Sequence, residues 1–164
     1  MEIKLDIRTE KHVEIYFNKT NNEIIRKVLP QKAQSVHEAI EDYRKTLLPN
    51  STSYGKIILA DGKYVGDVWC YCMDLHDTPN AMLSYCIMEP FDWNQGIATR
   101  AVALFLQEIR KKFGLRTVGA FTYSDNAASR KVLEKNGFTM MEEFTEDGIP
   151  SMYFEICFED KQKD

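Results

Sequence analysis

The stretch from Met88 to Ala101 constrains the fold more than any other part of the chain. It leaves an apolar segment, passes Pro90, and enters a helical pattern that starts near Gly96. A strand–loop–helix junction directs unpaired backbone N–H groups and the positive end of the helix dipole at one point, which suits an anion such as a phosphate. Small residues at Gly96 and Ala98 allow a ligand to approach the backbone closely. The stretch therefore predicts an anion-binding loop, with a plain loop before a core helix as the alternative.

Two familiar phosphate loops do not fit this stretch. A dinucleotide fingerprint needs three glycines and an acidic residue about twenty positions later, whereas only Gly96 is present here. A nucleoside-triphosphate loop needs Gly-Lys followed by Ser or Thr, and the stretch lacks that order. What remains is a backbone cradle for a pyrophosphate.

Length and composition indicate one folded domain. The chain has 164 residues, of which 44% are hydrophobic and 12% aromatic, which predicts a single domain over 1–160 and a solvated tail at 161–164. The net charge of −4 argues mildly against nucleic acid and is compatible with a cationic partner. The first residues lack a signal-peptide pattern and no apolar run is long enough to span a membrane, so a cytoplasmic location is expected.

The cysteines predict no metal site and no disulfide. In a cytoplasm, all four are expected to be reduced thiols that serve as small core residues. The spacing of Cys70 and Cys72 does not match a zinc knuckle, and His76 alone does not complete a ligand set.

The hydrophobic periodicity predicts an α+β (mixed α/β layer) protein with a mixed sheet. Strands are predicted over about 3–8, 56–60, 63–74 (with a bulge at Gly66), 81–88, 116–122, 138–145 and 151–159. Asp61-Gly62 predicts a hairpin turn between the second and third strands. Helices are predicted over about 10–18, 24–29, 36–47, 96–113 and 126–136, with N-caps at Thr9, Ser35 and Asp125 and a C-cap at Gly114. The third helix has a predicted apolar stripe, Val36, Ala39, Ile40, Tyr43 and Leu47, and so has the fourth, Ala98, Val102, Phe105, Leu106, Ile109 and Phe113. The 116–122 strand follows a strand and a helix and is therefore expected to lie parallel to the 81–88 strand.

A second group of polar residues lies at the start of the last helix. Asn126, Ser129, Arg130 and Leu133 fall on one helical face. Two uncharged hydrogen-bonding groups there can meet a ligand that arrives from the preceding helix. The alternative is that Asn126 caps the helix and Ser129 is an ordinary surface residue.

These residues resemble a known family. Residues 93–101, Trp-Asn-Gln-Gly-Ile-Ala-Thr-Arg-Ala, are similar to the acetyl-CoA pyrophosphate loop of the GNAT superfamily of acyl-CoA N-acyltransferases. The similarity is to the branch of ribosomal-protein N-terminal and spermidine acetyltransferases. Residues 126–138 resemble that branch's second signature, Asn-x-x-Ser ending in Lys-x-Gly-Phe. The element order over the chain also fits, although residues 10–50 match only in being helical.

The resemblance implies a GNAT-like fold, with a mostly antiparallel sheet of about seven strands flanked by helices, and acetyl-CoA as cosubstrate. It places the pantetheine near Ile87 and Met88 and the cofactor's arm near Asn126 and Ser129. It implies that the pyrophosphate binds the backbone N–H groups of Asn94, Gln95, Gly96, Ile97, Ala98 and Thr99. Two positions depart from the superfamily: Trp93 replaces a common Arg or Gln, and Leu133 replaces a tyrosine that many members use as general acid.

The chemistry of amide formation sets what else is needed. An amine with a pKa near about 10 must lose a proton before it attacks a thioester, so a base and an oxyanion donor are required. A backbone N–H around Met88 is the expected oxyanion donor. The base candidates are Asp67, Asp74, His76, Glu89 and Asp125, and the alternative for Asp74 and His76 is that they are turn residues. Glu89 is nearest the thioester by chain position, and Glu89, Ser129 and Asn126 are the predicted catalytic residues.

The sequence thus predicts an acetyl-CoA-dependent N-acetyltransferase that acts by direct attack in a ternary complex. The expected acceptor is a small-molecule amine, such as a polyamine, or a peptide N-terminus. Acids at Glu38, Glu41 and Asp42 favour a cationic amine, or form a solvated helix face. Tyr71 and Tyr85 line the acceptor slot or pack in the core. The alternative function is a non-catalytic acyl-CoA sensor. No nucleic-acid or membrane partner is expected, and a homodimer is compatible with the sequence.

Overall fold

Seven strands, five α-helices and a short 3₁₀ helix at Pro90–Asp92 form the part of the chain that the computed structural model describes, residues 1–158. The strands are β1 (Ile3–Asp6), β2 (Tyr54–Ala60), β3 (Lys63–Asp74), β4 (Asn80–Ile87), β5 (Thr117–Tyr123), β6 (Thr139–Glu146) and β7 (Ile149–Cys157). The helices are α1 (Glu10–Thr20), α2 (Glu23–Arg26), α3 (Val36–Thr46), α4 (Ile97–Phe113) and α5 (Ala127–Lys135). The predicted tail at 161–164 and the predicted domain end at residue 160 lie outside the described residues.

The strands form one sheet in the order β1-β2-β3-β4-β5-β7-β6. Every neighbouring pair is antiparallel except β4 and β5, which are parallel because α4 carries the chain back across the sheet between them. The predicted mixed, mostly antiparallel sheet is confirmed, and so is the parallel relation of these two strands.

Two tight turns set the registers of the hairpins. Asp61 and Gly62 have φ of 48° and 81°, and Asp147 and Gly148 have φ of 49° and 77°. Positive φ at both central residues is the two-residue turn whose twist matches that of the flanking strands, and Asp-Gly favours it. The hairpin turn predicted at 61–62 is therefore confirmed.

Helix α4 carries the largest apolar face onto the sheet. Its buried residues are Ile97, Ala101, Val102, Phe105, Leu106 and Ile109. They belong to one core cluster with apolar residues of β2 to β5 and β7. The helix ends at Gly114, which has a φ of 65° and whose N–H donates to the Arg110 carbonyl, as the sequence predicts. This packing fixes the position of the helix's first turn relative to the end of β4.

Several local predictions need correction. The cap of α5 is Asn126, whose side chain accepts from the Ser129 N–H, and not Asp125. The predicted stripe of α3 contains no buried residue, and Leu47 at its end is 64% exposed, because the short α3 packs mainly on α1. The bulge in β3 falls at Val65, since Ile58 pairs with Gly66 and Leu59 pairs with Tyr64.

The cysteine prediction is confirmed in part. All four thiols are free, but only Cys70 and Cys86 are buried, whereas Cys72 and Cys157 are exposed. Both exposed cysteines lie near strand ends, and Cys72 lies in an irregular stretch of β3 with a φ of 50°. Alternation along a strand does not indicate which of its ends is covered.

Candidate functional site

The sheet opens between its two parallel strands. β4 and β5 pair only where Asn80–Met82 face Thr117–Gly119. Beyond that point β4 continues to Ile87 and β5 to Tyr123 without further pairing to each other. The divergence leaves backbone groups of β4 without a strand partner, and such groups need a hydrogen-bonding partner from elsewhere. The opening can therefore accept an extended ligand that carries amides.

One N–H group at the end of β4 is well placed to face this opening. The Met88 N–H donates to the Val65 carbonyl on β3 at 2.9 Å, so it is not available as the expected oxyanion donor. Because backbone groups of a strand alternate between its two neighbours, the N–H of Ile87 is directed to the other side. The Met88 N–H is therefore excluded as the predicted donor, and the N–H group that faces the opening is that of the neighbouring Ile87.

The loop after β4 is held against the strand end by Trp93. Its indole N–H donates to the Ile87 carbonyl at 2.9 Å. Gln95 reinforces the loop, because its side-chain amide donates to the Phe91 carbonyl at 2.8 Å. Trp93 therefore has a structural role, which is to fix this loop to the end of β4, at the position where the superfamily commonly has Arg or Gln.

The first turn of α4 offers unsatisfied donors beside the opening. Its N-cap is Gly96, with a φ of 78° and no capping side chain, and the Arg100 N–H to Gly96 carbonyl bond of 3.2 Å begins the helix. The N–H groups of Ile97, Ala98 and Thr99 consequently lack an intrahelical acceptor. The turn has no acidic residue, and a Cβ built on Gly96 meets nothing within 4 Å. This open, positively polarised end is suited to a phosphate.

The end of α5 braces that turn. The Asn136 amide donates to the Thr99 carbonyl at 3.1 Å and to the Val132 carbonyl at 2.9 Å. Gly137 follows with a φ of 88°, and Phe138 is buried at 4% exposure in the core. The two sequence motifs are therefore joined physically, because the second one fixes the helix that begins in the first.

The start of α5 brings three polar residues together at the opening. Asn126 Oδ1 accepts from the Ser129 N–H at 3.1 Å, so its predicted alternative role as a cap is confirmed. Ser129 is not an ordinary surface residue, because its Oγ lies 2.8 Å from the hydroxyl of Tyr85 on β4. Burial raises the pKa of Tyr85 to about 12, with the Ser129 hydrogen bond acting in the opposite direction. Leu133 is 1% exposed in the core and provides no proton donor.

The predicted base candidates occupy different environments. Asp67 is 1% exposed, lies 2.9 Å from an Arg8 guanidinium nitrogen, and accepts from the Tyr64 hydroxyl at 2.6 Å. Burial raises its pKa while Arg8 and Tyr64 lower it. Asp67 is thus one partner of a buried structural ion pair with Arg8. Glu89 is half-exposed, and one of its oxygens lies 3.1 Å from the Lys19 amine at the end of α1.

The other candidates do not converge on the opening. Asp74 accepts from the His76 N–H at 2.9 Å in the β3–β4 turn, which is at the opposite end of β4 from Ile87. Asp125 is exposed and precedes α5 without capping it. Asp74 and His76 are therefore turn residues, as their alternative interpretation holds.

Three residues on one face of β5 and β7 were missed by the sequence reasoning. The Tyr153 hydroxyl donates to a Glu155 carboxylate oxygen at 2.8 Å, and the Phe121 ring lies 5.2 Å from the Tyr153 ring. Tyr153 lies close over Gly119, where a Cβ would stand 2.5 Å from its hydroxyl. Phe121 is 56% exposed. Alternation along β7 indicates that Tyr153 and Glu155 share a face, but only the pairing with β5 places Phe121 beside them.

Two other classes of site receive no support within residues 1–158. None of the helices there is long and apolar enough to cross a membrane. The same residues hold no group of three or more His, Cys, Asp or Glu side chains able to bind a metal ion.

A mixed sheet that opens between two parallel strands, beside an uncapped helix N-terminus, defines a GNAT-type acetyltransferase domain. The chain belongs to this family, because the family model for the acetyltransferase (GNAT) domain matches residues 5–139. The resemblance seen in the sequence is confirmed, and the protein is an acetyl-CoA-dependent N-acetyltransferase. No functionally curated protein matches the chain by sequence.

Solved structures share the fold over nearly the whole chain. A spermidine N-acetyltransferase from Vibrio cholerae, in complex with CoA and spermine, has a TM-score of 0.82 at 17% identity, covering 94% of this chain and 95% of that one. The ribosomal L7/L12 alpha-N-protein acetyltransferase RimL, in complex with CoA, has a TM-score of 0.80 at 18% identity, covering 94% and 93%. The aminoglycoside acetyltransferase AAC(6')-Ib, in complex with CoA, has a TM-score of 0.78 at 15% identity, covering 95% of each chain.

Proposed function

We propose that this protein transfers the acetyl group of acetyl-CoA to a primary amine that attacks the thioester directly while both substrates are bound. The acceptor is a small amine or a peptide N-terminus. The observation that carries the proposal is the opening between β4 and β5 beside the uncapped first turn of α4. One ligand that combines a pyrophosphate with an extended amide-bearing arm fits both features at once.

In this proposal, two kinds of polar group on the cofactor, the pyrophosphate and the pantetheine amides, determine where it binds. The pyrophosphate accepts from the N–H groups at the start of α4, and the pantetheine amides pair with β4 near Ile87 and Met88. The pyrophosphate-binding residues of this proposal are Asn94, Gln95, Gly96, Ile97, Ala98 and Thr99. The thioester then lies near Asn126 and Ser129, whose helix α5 borders the opening.

The acyl transfer uses three groups at the opening. The amine nitrogen attacks the thioester carbon, and the oxygen that gains negative charge accepts from the Ile87 N–H. The carbon–sulfur bond then breaks with its electron pair on sulfur, toward which Ser129 can donate. Asn126 holds the Ser129 backbone through its 3.1 Å hydrogen bond and so positions that hydroxyl.

A carboxylate takes the proton that the amine loses. Glu89 is the proposed base and accepts the proton directly or through a water molecule. Its ion pair with Lys19, at 3.1 Å, opposes this role because it stabilises the ionised carboxylate. Glu155 is the second carboxylate near the sheet face that bears Phe121. The pH–rate profiles of Glu89→Gln and Glu155→Gln separate them, because loss of the true base removes the acidic limb of the profile.

Residues of β5 and β7, rather than the acidic residues of α3, favour a cationic acceptor. The exposed Phe121 and the half-buried Tyr153 and Glu155 combine aromatic faces with a carboxylate, which is a combination that attracts an ammonium group. On α3, by contrast, Glu41 pairs with His37 at 3.0 Å and Asp42 with Lys45 at 4.0 Å, which is the solvated helix face of the alternative interpretation. The polyamine, aminoglycoside and protein acetyltransferases that share the fold support an amine acceptor.

The proposal is tested with a panel of amines assayed for acetyl-CoA-dependent thiol release. The panel contains a polyamine, an aminoglycoside and peptides with free N-termini, and acetylated product is identified by mass spectrometry. We expect release above the hydrolysis rate with at least one amine class. Tight CoA binding without turnover across the whole panel would contradict the proposal and favour a sensor of acyl-CoA.

A further inference from the structure

Tyr85 and Ser129 form a contact across the opening, and neither the attack of the amine nor the proton transfer to the base involves it. Tyr85 lies on the part of β4 that no longer pairs with β5. Its hydroxyl oxygen is 2.8 Å from Ser129 Oγ and 3.2 Å from the Ser129 carbonyl oxygen. The contact therefore joins the two elements between which the thioester is proposed to lie.

The number of protons in this contact limits how it can be arranged. Tyr85 has a single hydroxyl proton and two acceptors within reach, the Ser129 carbonyl and Ser129 Oγ. If the proton goes to the carbonyl, the Ser129 hydroxyl can donate back to Tyr85. If Tyr85 donates its proton to Ser129 Oγ, the Ser129 hydroxyl keeps its own proton and can donate it as a hydrogen bond into the opening. A negative sulfur there favours the second arrangement, because aligned hydrogen bonds strengthen one another.

We propose that Tyr85 is a positioning residue that holds the Ser129 hydroxyl as a hydrogen-bond donor to the sulfur of the departing CoA. The inference rests on the proposed function. The nitrogen–carbon bond forms, the carbon–sulfur bond breaks with its electron pair on sulfur, and the proton lost by the amine goes to the carboxylate base. Tyr85 and Ser129 each keep their own proton throughout, and the thiolate is protonated by water after release.

The environment of Tyr85 supports this assignment over proton donation. Burial raises the pKa of Tyr85 to about 12, whereas an ordinary thiol has a pKa of about 8.5. Transfer of the phenolic proton to the thiolate is therefore unfavourable, and Tyr85 remains a donor throughout the neutral range. At the position where many family members have a tyrosine, the buried Leu133 cannot supply this interaction.

The test compares the binding of CoA with that of desulfo-CoA, which lacks the sulfur, by calorimetry between pH 7 and pH 9.5. For the wild-type protein we expect the preference for CoA to grow as the thiol ionises, to about tenfold, the scale of one hydrogen bond to a charged group. Ser129→Ala should abolish this growth. Tyr85→Phe keeps the ring and should reduce the growth several-fold, and Tyr85→Met should do the same if the Phe variant is unstable.

A matched control is Tyr54→Phe. Tyr54 on β2 has a pKa that burial raises to about 12, as for Tyr85, but its ring stacks on Phe105 away from the opening. Its preference for CoA should equal that of the wild type. A packing role for Tyr85 would weaken both ligands equally and leave their ratio unchanged, which would overturn the inference while the proposed function stands. Absence of CoA binding to the wild type would overturn both.

Discussion

The replacement of Gly96 by alanine separates the stability of α4 from its binding role. Gly96 has a φ of 78° and faces open space, since a Cβ there meets nothing within 4 Å. An L-residue held in the left-handed region costs about 1 to 2 kcal/mol. For a chain of this size, that corresponds to a fall in Tm of roughly 2 to 8 °C. In the proposed binding mode, the same Cβ would project into the space where the pyrophosphate meets the N–H groups of Ile97 and Ala98.

The other end of the same helix provides the control. Gly114 has a φ of 65° and likewise has nothing within 4 Å of a built Cβ. Gly114→Ala should therefore lose a similar amount of stability, while its CoA affinity stays at the wild-type value. Gly96→Ala should lose about tenfold or more in CoA affinity, equivalent to about 1.4 kcal/mol, and Gly96→Val should lose binding altogether in a folded protein.

Thermal unfolding and calorimetric titration with CoA measure the two effects separately. The reasoning predicts parallel losses of Tm for the two alanine variants and a loss of affinity for Gly96→Ala alone. Wild-type CoA affinity in a folded Gly96→Val protein would refute the placement of the pyrophosphate. Equal affinity losses in Gly96→Ala and Gly114→Ala would show that helix stability, and not the cradle, controls binding.

Three further perturbations test separate parts of the account. Asn126→Ala should lower turnover or cofactor affinity about tenfold. The control Asn22→Ala removes the equivalent cap of α2 and should affect only stability, by about 1 kcal/mol. Equal kinetic effects of the two variants in a steady-state assay would exclude a role for Asn126 at the site. Asp67→Asn should lower the free energy of unfolding by about 3 to 5 kcal/mol, because it leaves Arg8 without its buried partner, whereas Asp42→Asn in the exposed pair with Lys45 should change it by less than about 1 kcal/mol in denaturant titrations. The folded-state pKa of Tyr85 is raised to about 12, so its stabilising contribution is complete below about pH 10 and is lost as pH rises toward 12. The free energy of unfolding of Tyr85→Phe should therefore fall less steeply than that of the wild type over this range. Identical alkaline slopes for the two proteins would contradict the assigned shift.

Local sequence signals predicted much of this structure because their physical causes are local. The C-cap at Gly114, the Asp-Gly hairpin turn and the apolar stripe of α4 depend on residues that are close together in the sequence. The motif at 126–138 was predictable for the same reason. Its physical role, the hydrogen bond from Asn136 to the first turn of α4, became visible only in three dimensions.

Long-range partners could not be predicted because they depend on strand register and helix docking. The pairs Tyr85–Ser129 and Lys19–Glu89 each join elements that are distant in the sequence. A shift of one residue in register changes which backbone groups face the opening, as the Met88 N–H shows by donating to Val65 on β3 instead. The cap of α5 was misplaced by one residue for a related reason, since Asp125 and Asn126 are both good caps.

The most direct test of the central claim is a crystal structure of the protein with CoA bound. The account predicts pyrophosphate oxygens within hydrogen-bonding distance of the N–H groups of Ile97, Ala98 and Thr99, and the pantetheine between β4 and β5 with its sulfur near Ser129. A CoA molecule bound elsewhere, with the opening between β4 and β5 empty, would contradict it.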